Sequence, residues 1–331
     1  MSKARDSVED LRTIDADLVV ARAGRKNWII NGSVIVSQRA SYATAVSMTT
    51  QAYYQDRWTT VINNGVAATI QTKSTDQPNG QVGNCIRVIT SAGSSAAECC
   101  VDQRVENPQQ FAGKTLTFSV WMKSNTNKAG ISHYNNQDSF VAPTNHTGGG
   151  AWEKLTLTHT VNATGPTDFR LRLGMSQSGN TVVGVGDYFE VTEAQMEYGS
   201  VATDFEHRSY GEILADCQRY YFKTANFGAT SVVANRPCSI YIPVSKGGST
   251  YLWANGTIPV TMRAIPTARI SDSAGTIGKI NHFTNASGDE TNNHTTWGSP
   301  IYAHPNGIIV KDYLTASIYG MSCEFEADAE L

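Results

Sequence analysis

An all-β chain organised as two domains around one short helix is the fold class that the sequence predicts, and three observations lead to it. Short runs rich in Val, Ile, Thr, Phe and Tyr recur between Gly, Asn and Pro breaks, which is strand and turn chemistry. Charged residues make up 17% of the chain, below the roughly 25% of an average soluble protein, and Asn, Thr, Ser and Gly fill the difference, as on the surface of a β-sandwich. Helical spacing is clear in one run, where Ser209 stands three residues before Glu212 and Tyr210, Ile213, Leu214, Cys217 and Tyr221 follow on one face. With 331 residues the chain holds two cores of ordinary size, single domains commonly running about 100–200 residues.

Taken in order, residues 1–25 are charged and poor in aromatics, with Val8, Leu11 and Leu18 at heptad-like intervals, and read as an anchor arm or a disordered tail. Residues 26–208 carry the strands of a double-sheet jelly roll, among them Trp28–Ile30, Cys85–Thr90, Thr115–Lys123, Trp152–Val161, Phe169–Gly174 and Tyr188–Tyr198. In Thr115–Lys123, Leu116, Phe118, Val120 and Met122 alternate with Thr115, Thr117, Ser119 and Trp121, so one apolar row faces inward. Trp58, Trp121 and Trp152 are expected in the core or at its end. Residues 209–222 form the linker helix, opened by the Ser209/Glu212 capping box. Residues 223–331 read as a smaller β domain whose prolines, Pro237 to Pro305, fall at strand edges. No repeat of 20–50 residues is evident, which disfavours a β-helix or propeller.

Charge and cysteine usage narrow the function. Lys and Arg total 26 against 29 Asp and Glu, a net charge of −3, so neither nucleic acid nor an anionic membrane is an expected partner. No stretch approaches the roughly 20 apolar residues of a membrane span, and a signal peptide is not expected either. Six cysteines lack CxxC or metal-finger spacing, and reduced thiols are expected, with Cys99 and Cys100 on opposite strand faces and therefore not both in the core. The segment ending FAGKT has Pro108 where a phosphate loop needs its first glycine, and neither GxSxG nor HExxH occurs. Glu190, Glu193 and Glu197 are candidates for paired acids, equally well read as the polar face and end of a strand.

Residues 188–221, reading YFEVTEAQMEYGSVATDFEHRSYGEILADCQRYY, resemble a run found in bacteriophage tail-fibre and related virion proteins, where it closes a carbohydrate-binding-module-like jelly roll. Three further pieces are similar to that family: MSKARD at the start, KNWIINGSVIVSQR over residues 26–39, and Asp56-Arg57-Trp58. Ser37 stands where the family has Trp, and Asp204 where it has Pro. Beyond residue 222 the similarity rests on VTMRAIPTARI (260–270) and on ADAEL (327–331). The resemblance implies a virion appendage, a homotrimer with Tyr210, Ile213, Leu214 and Cys217 near its axis, docking to other virion proteins through the arm, and a host-surface glycan as partner. It implies no cofactor, although family jelly rolls often hold a structural calcium and Asp187 lies near a ligand position.

Glycan recognition needs flat rings to stack on sugars and amides, carboxylates and hydroxyls to read their hydroxyl groups. Two segments have that composition and are expected as polar loops. The first, Ile131–His146, supplies His133, Tyr134, Asn135, Asn136 and Asp138; the second, Asn281–His304, supplies His294, Trp297 and Tyr302; Trp253, an aromatic of the same domain, is a further candidate. A transition-metal cluster of His133, Asp138 and His146 matches no ligand signature. The leading expectation is non-enzymatic attachment to host polysaccharide. An architectural virion protein, such as a capsid-decorating or connecting fibre, is the alternative, and a polysaccharide depolymerase is third.

Overall fold

The computed structural model describes residues 25–80, 83–95, 97–175, 182–224, 240–246, 250–272, 276–283, 290–295, 301–314 and 318–330. Residues 1–24 of the arm, Cys238 and Trp297 lie outside the described residues. The chain divides into two units, one made of residues up to 35, 43–53 and 58–208, the other of 36–42, 54–57 and 209–331.

The first unit is a sandwich of two antiparallel sheets. One has six strands in the order β1 (Val46–Ser47), β3 (Ala67–Lys73), β4 (Cys85–Ala92), β11 (Tyr188–Tyr198), β6 (Thr115–Ser124), β9 (Trp152–Thr160). The other has five: β2 (Thr59–Ile62), β5 (Cys99–Arg104), β10 (Phe169–Met175), β7 (Gly130–Asn135), β8 (Ser139–Asn145). Alternation builds the layer between them. Leu116, Phe118, Val120 and Met122 of β6 are wholly buried, as are Phe169, Leu171, Leu173 and Met175 of β10, each such side chain stabilising the fold by about 1.5–3 kcal/mol. Gly174 lies at φ 129°, where a Cβ would come within 2.8 Å of the Cys99 carbonyl oxygen, so only glycine fits this point of β10.

Two expectations about this core are corrected. Trp58 is buried, but Trp121 and Trp152 are only half-buried; Trp121 follows the alternation of β6 outward, and Trp152 stands opposite outward-facing Lys123. Cys99 and Cys100 do point to opposite faces, yet both are fully buried, because Cys100 lies beside the Asp102–Arg172 ion pair on the far side of β5. None of the five described cysteines forms a disulfide.

The second unit is also mainly β. β12 (Tyr221–Lys223), β13 (Ile240–Lys246), β15 (Thr267–Ser271) and β16 (Lys279–Phe283) pair with the long β20 (Ile318–Asp328), and β17 (Glu290–Thr295) pairs with β16. A separate three-stranded sheet runs β14 (Thr250–Thr257), β19 (Gly307–Leu314), β18 (Ile301–His304). Ile270, Ile280, Ile308, Val310, Cys323 and Phe325 are the centre of its core.

The helix α1 spans Tyr210–Gln218 and opens on the expected capping box, the Ser209 hydroxyl accepting from the Glu212 N–H and the Glu212 carboxylate from the Ser209 N–H. It is shorter than expected and belongs to the second unit rather than linking two. Tyr221 continues the apolar spacing but is a strand residue opposite Asp328, pairing with β20 overriding helical periodicity in this Tyr-Tyr-Phe stretch. Ile213 and Cys217 are buried within the chain itself, Leu214 is half-buried and Tyr210 is exposed. Aspartate at Ile213 is therefore expected to disrupt the fold of the chain before any assembly. Ser209→Ala is expected to lower stability by about 1 kcal/mol, read as a fall in the thermal midpoint.

Four stretches that look unrelated along the sequence meet in this unit. The Gln38 side chain and backbone N–H donate to Asp56, and its amide also donates to the Tyr221 carbonyl. Arg39 lies 3.7 Å over the Tyr221 ring and pairs with Asp328; Arg57 lies 3.6 Å over the Tyr220 ring and pairs with Glu330. Burial raises the Asp56 carboxyl to about 6, opposed by the Gln38 hydrogen bonds and by Arg39.

Candidate functional site

The segment 131–146 is not a loop. It is the hairpin β7–β8, and its alternation sorts the candidate residues by face. His133 pairs with inward-facing Leu171 and is fully buried, its ring stacked 5.0 Å from Phe118 and 5.1 Å from Phe169. Neither ring nitrogen has a hydrogen-bond partner, and burial, with His159 adding to it, lowers its pKa to about 3. His133 is thus a neutral core residue and cannot touch a ligand at the surface.

Asn135, Asn136 and Asp138 are placed at the hairpin turn, where their polar atoms hold the chain. Asn135 accepts from the N–H groups of Gln137 and Asp138 and donates to the Asp138 carboxylate, and Asn136 accepts from Thr167 and Asp168. Asp138 also accepts from the Asn162 N–H and lies 3.2 Å from His159. Against the pull of partial burial, these hydrogen bonds hold its carboxyl below the usual range. His146 is buried between the Gly148 N–H and the Ala151 carbonyl. Turn geometry, not composition alone, accounts for this Asn-rich stretch.

Tyr134 faces the other way. Its ring lies 5.2 Å from that of Phe140, which is 37% exposed, on the outer face of the five-stranded sheet. Arg170 lies over Tyr134 and Arg172 over Phe140, at 5.4 and 4.8 Å. Arg172 in turn makes a two-pronged bond to buried Asp102, at 2.9 and 2.8 Å, and pairs with Glu98 at 2.6 Å. Burial raises the Asp102 carboxyl and Arg172 opposes it. Phe140 escaped sequence reasoning; once the hairpin is known, its position opposite Tyr134 identifies it.

In the second unit the three-stranded sheet brings two candidates together from 49 positions apart in sequence. Register places Trp253 opposite Lys311 and Tyr302 opposite Ile309, while Ile308 and Val310 alternate into the core. Trp253 and Tyr302 therefore share the outer face. Their ring centroids lie 6.0 Å apart with planes at 22°, and the rings are 51% and 45% exposed. The Lys311 ammonium lies 5.1 Å from the Trp253 centroid, and exposed Asn255 and His304 flank the pair. Lys311 is a second residue missed from sequence, its place fixed by register alone. His294 lies in β17, with its side chain outside the described residues.

Asp187 accepts from the Gly184 N–H and pairs with Lys128 at 3.0 Å, so the turn before β11 already uses the carboxylate considered for calcium. Among the described residues there is no group of three or more His, Cys, Asp or Glu side chains placed to hold a metal, and no helix among them is long and apolar enough to cross a membrane.

No protein-family model matches the chain, and no curated protein is similar enough in sequence to align with it. Among solved structures it is similar to the CBM22-1 xylan-binding domain from Paenibacillus barcinonensis Xyn10C, at 12% identity and TM-score 0.31, over 49% of this chain and 99% of that one. A putative sugar binding protein from Bacteroides thetaiotaomicron matches at 12% identity and TM-score 0.34, over 53% of this chain and 100% of that one. The enzymatically active domain of tailspike protein 4 of Bacteriophage CBA120 matches at 13% identity and TM-score 0.33, over 52% of this chain and 21% of the tailspike chain.

Proposed function

We propose that this chain is a non-enzymatic phage appendage subunit, a tail fibre or spike component, that attaches to host-surface polysaccharide. The observation that carries the reading is the Trp253–Tyr302 pair, two nearly parallel, half-exposed rings on one flat strand face. Sugar rings present C–H faces that stack on such rings, and the neighbouring Asn255, His304 and Lys311 offer polar groups for hydroxyls. The sequence resemblance supplies the virion setting, with assembly as a homotrimer. The non-enzymatic reading is supported by two of the three carboxylates considered as paired acids: Glu190 is buried between Lys73 and Arg87, and Glu197 accepts from Thr203.

Exposed rings also serve subunit packing, which keeps the architectural reading, a capsid-decorating or connecting fibre, as the second one. Trp253→Ala and Tyr302→Ala decide between them. Each is expected to weaken binding to host cells by roughly 1–3 kcal/mol, about 5- to 150-fold, with folding and sedimentation unchanged. Unchanged binding with altered sedimentation would make the face a subunit contact and the architectural reading the better one.

A further inference from the structure

The outer face of the six-stranded sheet carries a second surface with different chemistry. Cross-strand register lines up Gln71, Arg87, Glu190, Lys123 and Trp152 in one row, and sets Lys73 opposite Cys85 and Trp121 between Thr192 and Lys154. Trp121 and Trp152 are half-buried on adjacent strands and each stands opposite a lysine, Lys154 and Lys123 respectively. The Trp152 indole N–H donates to the Asp76 carbonyl, fixing its ring against the chain that follows β3.

Four cations, Lys73, Arg87, Lys123 and Lys154, share this area with two carboxylates, Glu190 and Asp76. Glu190 is buried and held by both Lys73 and Arg87; Asp76 is held by Lys73 and Lys123. Lys154 donates to the Thr203 carbonyl. Lys73 spends its three donors on Asp76 and the two Glu190 oxygens, whereas Lys123 and Lys154 make one such bond each, which leaves N–H groups for a ligand. The local surplus is positive on a chain whose net charge is −3. The half-exposed Asp76 adds an acceptor suited to hydroxyl groups and unsuited to a dense row of phosphates.

From this combination we infer that the outer face of the six-stranded sheet binds an acidic polysaccharide, one whose sugars carry carboxylate or sulfate groups at intervals among free hydroxyls. Trp121 and Trp152 supply the platform, Lys123 and Lys154 meet the anionic groups, and Asp76 accepts from hydroxyls. The inference rests on the glycan-binding reading for its ligand class, but uses residues separate from Trp253 and Tyr302.

Affinity electrophoresis of the full chain through gels containing polygalacturonate, chondroitin sulfate or fully methyl-esterified polygalacturonate tests it. Retardation is expected with one or both acidic polymers at low salt, loss of that retardation at 0.5 M NaCl, where the screening length is only a few ångströms, and none with the esterified polymer. The Lys123→Gln/Lys154→Gln variant is expected to bind about tenfold more weakly, the combined loss of two solvent-exposed charge contacts. Trp253→Ala should bind the acidic polymers as the parent does, even where it no longer binds host cells. No retardation by either acidic polymer, equal retardation by the esterified one, or an unchanged double-lysine variant with a native melting curve would overturn the proposal. Tighter binding to single-stranded oligothymidylate than to both acidic polymers would assign the face to nucleic acid instead.

Discussion

Replacing His133 by Phe is expected to abolish most of the acid sensitivity of the first unit. The imidazole is wholly buried between Phe118 and Phe169 with both nitrogens unpartnered, and its pKa is lowered to about 3 from an ordinary value near 6.5. A histidine whose pKa falls on folding binds its proton more readily in the unfolded chain. Its contribution is therefore intact above pH 6.5 and is lost progressively as pH falls from 6.5 towards 3. At pH 4.5 the loss is roughly 3 kcal/mol, a large share of the 5–15 kcal/mol that typically separates folded from unfolded. His159 and Asp138 lie close by, so the quantity to measure is the difference in slope between parent and variant. Denaturant midpoints followed from pH 7.5 to 4.5 should fall less steeply in His133→Phe, whatever constant offset the larger ring introduces. Parallel slopes would show that the buried ring gains a proton without unfolding.

The second large effect is expected at Arg172. Methionine there removes the two-pronged partner of Asp102, which is fully buried, and also leaves Glu98 without its guanidinium. Breaking a buried pair from one side commonly costs about 3–5 kcal/mol, because the remaining charge keeps its desolvation penalty. Burial already raises the Asp102 carboxyl against the pull of Arg172, and without Arg172 its pKa rises further, so the deficit should grow as pH rises from 4 to 7, opposite in sign to the His133 effect. Adding Asp102→Leu should restore several kcal/mol, since the buried charge is then gone. Urea unfolding of the parent, the single and the double variant checks this. A single variant within 1 kcal/mol of the parent at pH 7 would mean that water reaches Asp102.

Legibility from sequence followed how local each determinant was. The inward row of β6 was plain because strand alternation involves neighbours only, and the helix start because Ser209 and Glu212 lie within one turn. The end of α1 was not, since the pull on Tyr221 comes from Asp328, more than a hundred residues away. The hairpin β7–β8 looks like a loop in sequence because its Asn, Gln and Asp residues at the turn mask the inward pair Ile131 and His133. Trp253 and Tyr302 could be named as exposed-type aromatics, but their adjacency depends on how β14 and β18 register against β19. The motif pieces containing Gln38, Arg39, Asp56, Arg57, Tyr220, Tyr221 and Glu330 were visible separately, and only the folded chain shows that they meet.

That meeting has a timetable. Arg57 and its partner Glu330 are 273 residues apart, so at about 5–20 residues per second the ribosome needs roughly 15–55 s to make the second after the first. Throughout that interval residues 36–42 and 54–57 have been synthesised but lack the strand and acidic residues that complete their unit. Closing so long a separation is slow compared with the local pairing of a hairpin, and nascent chains stopped before Asp328 should leave Arg39 and Arg57 open to protease and to chaperones. The ion-paired cluster of the second unit can therefore close only once residue 330 has been made, which places it among the late contacts of this unit.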